Sequence, residues 1–217
     1  MRCPGMHQNE ADDNDDMVVI VALSATSASN STPIPRYGFA QQATFGISYF
    51  WNRALVSSGL FGMNWFDRID NHVVLGALPS ESHLPMLLNQ FKVTTIINLC
   101  AETKGIASAC EQHQVHHIHL PCIDFQVPSP ETLELGVSEL TAVANSNKVA
   151  LAHCKAGRGR SASLVMCYLV ATYQMDLMDA QKYLLSKRRQ VDSHLSQSVN
   201  IRAFYENVNK NNRRPAP

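Results

Sequence analysis

The fold of this chain is read from one stretch: Lys148-Val149-Ala150-Leu151-Ala152-His153-Cys154-Lys155-Ala156-Gly157-Arg158-Gly159-Arg160-Ser161. Its first five residues form a short apolar run that predicts a buried strand ending at His153. From Ser161 onward, Ala162, Leu164, Val165, Cys167, Leu169, Val170 and Ala171 repeat as a long apolar helix. The nine residues from His153 to Ser161 therefore form a tight strand-to-helix loop. Gly157 and Gly159 let that loop bend with its amides turned inward.

Amides at a helix N-terminus, reinforced by the helix dipole, make a site for a phosphate dianion. A thiol there, beside cationic groups, ionises far more readily than an ordinary cysteine. Cys154 opens the loop. Arg160 closes it with a planar fork suited to two phosphate oxygens. Ser161 places a hydroxyl that can donate to the sulfur when it leaves as a thiolate. The pattern Cys-x5-Arg-Ser after His153 resembles the signature of the cysteine-based phosphatases.

Three plainer readings compete. A core cysteine is common, but it accounts for neither the glycines nor the two arginines. Gly157-x-Gly159-x-x-Ala162 mimics a dinucleotide fingerprint, with Asp176 and Asp179 near the acidic distance. That acid should end a second strand, and here it opens a helix. A phosphate-binding module without turnover, or a rhodanese-like sulfur carrier, predicts no positioned acid upstream.

Asp124 is such an acid. It follows the predicted strand Val115 to Leu120, in Pro121-Cys122-Ile123-Asp124-Phe125-Gln126-Val127-Pro128. A carboxylic acid on a mobile loop protonates the departing oxygen of a phosphate monoester, then activates water for the second step. The plainer alternative is a turn-capping aspartate. Ser129-Pro130-Glu131 starts the next helix as N-cap and first turn. Leu133, Val137, Leu140 and Val143 form its buried face.

Around this centre the pattern is α/β. Val73 to Gly76 and Val93 to Leu99 read as strands, and Leu84 to Phe91 as a short helix. Asp176 caps a helix bearing Ala180, Tyr183 and Leu184. A last helix follows Ser196, with Val199, Phe204 and Val208 as packing positions. Strands alternating with helices predict a mainly parallel central sheet flanked by helices. With 217 residues and 45% hydrophobic content there is room for one cored domain.

His113, His116, His117 and His119 invite a metal reading, but no HExxH or carboxylate partner accompanies them. A surface or strand-edge cluster is expected. Thiolate chemistry needs neither metal nor cofactor. Six unpaired-looking cysteines and no secretory signal read as reduced thiols.

Residues 1–64 form a separate extension. From Met17 to Phe66 there is no Asp or Glu, while Arg36, Arg53 and many hydroxyls are present. That is transit-peptide composition, although acidic residues precede Met17. Phe45, Tyr49, Phe50, Leu55 and Phe61 fit an interfacial amphipathic helix, and a disordered extension is the alternative. Residues 65–210 hold the predicted domain, and 211–217 a frayed tail. Lys182, Lys187, Arg188, Arg189, Arg202, Lys210, Arg213 and Arg214 make the C-terminal end basic. They read as a solvated helix face, or as attraction to an anionic membrane surface. Net charge is zero, and nucleic acid is not expected as a partner.

Trp65-Phe66-Asp67-Arg68-Ile69-Asp70, then Val74-Leu75-Gly76-Ala77-Leu78-Pro79, together with His153-Cys154-Lys155-Ala156-Gly157-Arg158, resemble the mitochondrial dual-specificity-type phosphatases that dephosphorylate phosphatidylglycerophosphate. The resemblance spans roughly Trp65 to Val208. It implies the compact cysteine-phosphatase fold, a mitochondrial inner-membrane setting (against a cytoplasmic one) and a part in cardiolipin synthesis. It also implies an anionic phospholipid substrate, with Cys154 as nucleophile, Arg160 as phosphate clamp and Asp124 as general acid. The chain departs from that family in two places. Its glutamate-rich segment is reduced here to Leu99-Cys100-Ala101-Glu102-Thr103, leaving only Glu102 to correspond. Gly159 stands where a small hydroxyl residue is common. Lys-Ala-Gly-Arg-Gly-Arg is also similar to the loop of phosphoinositide 3-phosphatases. Lys155 and Arg158 either meet a second anionic group, or depress the Cys154 pKa, or face solvent. Phosphatidylglycerophosphate, a phosphoinositide and a phosphoprotein stay open as substrates, and a non-catalytic phosphate-binding adaptor is the rival class.

Overall fold

Apolar and β-branched runs pair into a five-stranded sheet in the computed structural model, which describes residues 63–212. The strands are β1 (Phe66–Arg68), β2 (Val73–Gly76), β3 (Val93–Cys100), β4 (His116–Cys122) and β5 (Val149–His153), in the order β1-β2-β5-β3-β4. β1 runs antiparallel to β2, and every other pairing is parallel. β5, which leads into the loop, is therefore central, and all five of its residues are buried.

Alternation sorts the strand residues onto two cores. Val73, Leu75, Ile97, Leu99, Ala150 and Ala152 join one cluster. Val74, Ile96, Val149 and Leu151 join the other. The second cluster is covered by α1 (Leu84–Asn89) and α2 (Ala107–Gln112). The first is covered by α3 (Pro130–Asn145), α4 (Arg160–Tyr173), α5 (Leu177–Lys187) and α6 (Val199–Asn212).

α4 is the hub of that larger layer. Every residue from Arg160 to Val170 is buried, as expected for a helix apolar all round. It ends where Gln174 turns left-handed, with φ 53°. α3 begins at Ser129, whose side chain accepts from the Thr132 amide, with Pro130 in its first turn. Asp176 caps α5 by accepting from the Asp179 amide at 2.8 Å. Burying Leu164 or Phe204 stabilises the layer by roughly 1.5–3 kcal/mol each. Either one changed to alanine costs about 2–5 kcal/mol.

Several expectations need correction. β1 and α2 were not read from the sequence: β1 has three residues, and the six residues of α2 carry little periodicity. Val199 is not a packing position. It opens α6 and is 80% exposed, while Phe204 is buried. Arg188 does not belong to a solvated basic face, since its side chain is fully buried. The histidines do lie at an edge: β4 is the outermost strand, with His116 exposed and His117 and His119 half-buried. Burial, then His119 and His116, lowers the His117 pKa. The tail expected over 211–217 begins as helix, because α6 runs to Asn212. Residues 213–217, and all but the last two of the extension assigned to 1–64, lie outside the described residues. Among the described residues no helix is long and apolar enough to cross a membrane.

Candidate active site

The loop from Cys154 to Arg160 joins the C-terminal end of β5 to the start of α4. Its carbonyls from Lys155 to Gly159 are each met by a donor outside the loop. Lys155 O accepts from the Leu78 amide at 3.3 Å, and Arg158 O from the Asp192 amide at 3.0 Å. Gly159 O accepts from the Ser163 amide at 2.7 Å. Ala156 O and Gly157 O accept from the Arg188 guanidinium at 3.1 and 2.9 Å. In a trans peptide the N–H opposes the C=O, so the amides that follow point into the loop. Gly157 has φ 66°, and a side chain there would collide with Gly76 O at 2.5 Å. Gly159 is different: its φ is −110°, and a Cβ would meet nothing within 4 Å.

Cys154 is 3% exposed at the base of this nest. Burial pushes its thiol up. Arg160, the Ser161 hydroxyl and the Ser161 and Gly157 amides outweigh that and hold it below the ordinary value. Ser161 Oγ donates to Sγ at 3.3 Å. Cys100 and Cys122 go the other way. Burial raises Cys100 well above its usual range and Cys122 to about 11. Burial likewise raises Cys110 and Cys167. Of the five described cysteines, Cys154 alone is lowered.

Arg160 is gripped on three sides. Its Nη1 donates to Glu102 Oε2 at 2.7 Å and to Cys122 O at 2.9 Å, and its Nη2 donates to Asp124 Oδ1 at 2.8 Å. Burial disfavours its charge, but Cys154, Cys100 and Glu102 more than restore it, so its pKa is raised. Lys155 Nζ bonds the other oxygen of Asp124 and lies 5.0 Å from the centre of the Phe125 ring. A cavity of about 620 Å³ opens above, lined by Asp124, Phe125, Val127, Cys154, Arg160 and Val191 among others.

Asp124, Cys154, Lys155, Ala156, Arg158, Gly159 and Arg160 thus come together at one cavity. His153 lies apart, wholly buried, with Nδ1 3.4 Å from Cys154 O. Burial pushes its pKa down to about 3, so the ring is neutral. Lys155 is buried against Asp124, whereas Arg158 is exposed, with its Nη2 3.9 Å from Met63 Sδ.

Resemblance alone singled out Glu102, without a role, and the other supports were not read from the sequence. Glu102 reaches Arg160 because Asn98, at the end of β3, folds the next turn back: its Oδ1 accepts from Cys100 N and its Nδ2 donates to Thr103 O, each at 2.8 Å. His119 bonds Cys100 O at 2.7 Å, which gives one member of the histidine cluster a structural task. Arg188 had a readable signal, since it continues the Ala180, Leu184 spacing on the buried side of α5. A thiolate, a clamped guanidinium and a carboxyl in one cavity can carry out nucleophilic displacement at phosphorus with proton transfer to the leaving group.

The family model for the dual specificity phosphatase catalytic domain matches residues 73–207. A phosphatidylglycerophosphate phosphatase of Arabidopsis thaliana, PTPMT2, is 32% identical over 143 residues, covering 64% of this chain and 62% of that protein. The human phosphatidylglycerophosphatase and protein-tyrosine phosphatase 1 is 26% identical over 151 residues, covering 67% and 75%. A crystal structure of PTPMT1 matches with a TM-score of 0.62 at 25% identity, over 68% of this chain and 98% of that one. The chain spans less than two thirds of the length of the plant relative.

Proposed function

The chain belongs to the family of dual specificity phosphatase catalytic domains, and from that premise we propose that it hydrolyses phosphate monoesters through a cysteinyl-phosphate, with phosphatidylglycerophosphate as substrate. Cys154 Sγ attacks phosphorus as the thiolate. The loop amides and the Arg160 guanidinium hold the equatorial oxygens, where charge develops. A phosphate seated there takes over Nη2 of Arg160, and the carboxyl of Asp124 rises over the leaving oxygen. As the P–O bond breaks, Asp124 gives that oxygen its proton and the free alcohol departs. Ser161 steadies the sulfur in the second step. Water, losing a proton to the Asp124 carboxylate, attacks phosphorus, the S–P bond breaks, and inorganic phosphate leaves. His153 acts as a neutral spacer beneath the loop rather than as an acid or base.

One observation carries this reading: the thiol of Cys154 is lowered in the same cavity that holds Arg160 and Asp124. The lipid preference is supported by the activity in the names of the Arabidopsis and human relatives. The exposed cation Arg158, at the cavity wall, suits a glycerophosphate lipid that carries a second phosphate. With phosphatidylglycerol as product, the place of the enzyme is on the route to cardiolipin, at the mitochondrial inner membrane. A phosphotyrosine protein is the second reading, which the protein-tyrosine phosphatase in the human relative's name favours. The test measures phosphate release from vesicles of phosphatidylglycerophosphate, from a phosphoinositide and from a phosphotyrosine peptide. Fastest release from the first is expected, and fastest release from the peptide overturns the lipid assignment. Release from none of them returns the chain to the adaptor class.

A further inference from the structure

Arg188 is the most deeply buried charge in the described chain, and nothing in the chemistry above uses it. It closes α5 as the C-cap residue, with its backbone amide on Leu184 O at 2.7 Å. Its side chain then runs back under the phosphate loop with no exposed surface. Nε donates to Gly157 O at 2.9 Å and Nη2 to Ala156 O at 3.1 Å. Nη1 donates to Asp67 Oδ2 at 2.6 Å and to Asn64 O at 3.0 Å. One guanidinium therefore serves two consecutive loop carbonyls, the β1 carboxylate and the chain leading into β1.

We propose that Arg188 is a positioning residue for the phosphate loop, fixing from behind the two peptide planes that aim the Gly157 and Arg158 amides at the sulfur, with Asp67 holding the guanidinium in place. Each carbonyl drawn outward turns the following N–H inward. Among the described residues no other side chain supplies donors to those two carbonyls, and the planar fork is the geometry that reaches both at once. The fit is close: a Cβ on Gly157 would lie 2.7 Å from Nη2. Lysine, with one compact head, cannot span both carbonyls. The charge also bears on the sulfur. Burial lowers the Arg188 pKa, while attraction to Asp67 and to Cys154 opposes the loss. A cation held behind the nest in turn favours the thiolate. This gives Asp67, within the Trp65-Phe66-Asp67-Arg68 motif, a task at the active site although it lies outside the cavity.

The inference rests on the thiolate reading of Cys154, and its test needs no physiological substrate. In the full-length chain, alkylation of Cys154 by iodoacetamide is followed by peptide mapping as a function of pH for wild type, Arg188→Lys, Arg188→Met and Asp67→Asn. Turnover of a soluble aryl phosphate is measured in parallel, and folding is checked by circular dichroism. The alkylation midpoint is expected to rise in each variant, more for Arg188→Met than for Arg188→Lys. kcat should fall by about 10²-fold in Arg188→Met, as misaimed loop groups predict. Where Arg188→Met fails to fold, Arg188→Lys and Asp67→Asn carry the test. A folded variant with an unmoved midpoint overturns the proposal, even when kcat falls, because loss of folded protein lowers turnover without changing how the thiol titrates. A wild type that is inert on phosphate esters sinks the proposed function, whereas the shift in alkylation stands or falls separately.

Discussion

The phosphate loop and the loop of Asp124 face each other across one cavity, and they are built by opposite means. From Lys155 to Gly159 each carbonyl has a donor outside the loop, and Cys154 and Arg160 are buried. The acid loop is tied through the Asp124 side chain to Arg160 and Lys155, but its backbone is thinly held. Gln126 N reaches Ile123 O at 3.2 Å, Phe125 N reaches its neighbour's Oδ1 at 3.1 Å, and Asn200 spans Val127 O and Pro128 O. Phe125 itself is 92% exposed and sits at φ 62°, a left-handed setting that costs a bulky residue energy. Charge that develops at a fixed place is best met by groups that need not move. A carboxyl that must first release Arg160 and then cover a leaving oxygen needs a loop free to shift.

Removing the nucleophile tests the rigid side and is the largest effect expected. Cys154→Ser should lower turnover by at least about 10⁴-fold, while phosphate still binds, because the amides remain. Turnover near the wild-type rate would place the nucleophile elsewhere. Asp124→Ala tests the mobile side and should slow release by about 10²–10⁴-fold. The loss should be greatest for alkyl phosphates, whose leaving groups are poor, and smallest for aryl phosphates. Equal losses on both would mean that Asp124 holds Arg160 in place and donates no proton, erasing the division between the loops.

The same division decides what the sequence disclosed. Cys154, Arg160 and Ser161 were legible because the nest is built within one turn of chain, from neighbours whose spacing is itself the geometry. Asp124 was legible for a related reason, as the first acid after a strand that ends beside the loop. The supports were not legible from spacing, because each lies far from the loop in sequence. Glu102 follows β3, yet it meets Arg160 at the start of α4. Arg188 continues the Ala180, Leu184 spacing, but between Lys187 and Arg189 it reads as one of a solvated run, although only those two are exposed. The short strand β1 had too few residues to show alternation, so the carboxylate of Asp67 gave no sign that it faces an arginine far along the chain.

Acid separates the two loops a third way. His153, beneath the rigid one, is neutral in the fold because burial pushes its pKa down to about 3, against an ordinary 6.5. Above pH 6.5 the ring is neutral in both folded and unfolded chains and costs nothing. Below it the unfolded chain takes up a proton that the folded one refuses. Stability should then fall by up to about 1.4 kcal/mol per pH unit, down towards pH 3. Urea midpoints for wild type and His153→Asn between pH 7 and pH 4 measure this, and the wild type should show the steeper loss. Parallel slopes would mean that the ring is hydrated or already charged in the folded protein.

The smallest effect lies in the strain at Phe125. Asparagine tolerates the left-handed region better than phenylalanine does, and a ring this exposed gives up little burial when it is replaced. The ring is exposed but Lys155 is buried, and losing their contact, worth about 0.5–1 kcal/mol, works against the gain. Phe125→Asn should therefore raise Tm only slightly, by about 1–2 °C. The informative readout is turnover in the same variant. The backbone turn at Phe125 points its own N–H at the Asp124 carboxylate, so relaxing that turn changes how tightly the acid is aimed. Slower turnover in a more stable protein would make the strain part of the mechanism, as expected where function is bought with stability. Unchanged turnover would leave the acid loop mobile but indifferent to its own conformation, and the contrast with the phosphate loop would then rest on hydrogen bonding alone.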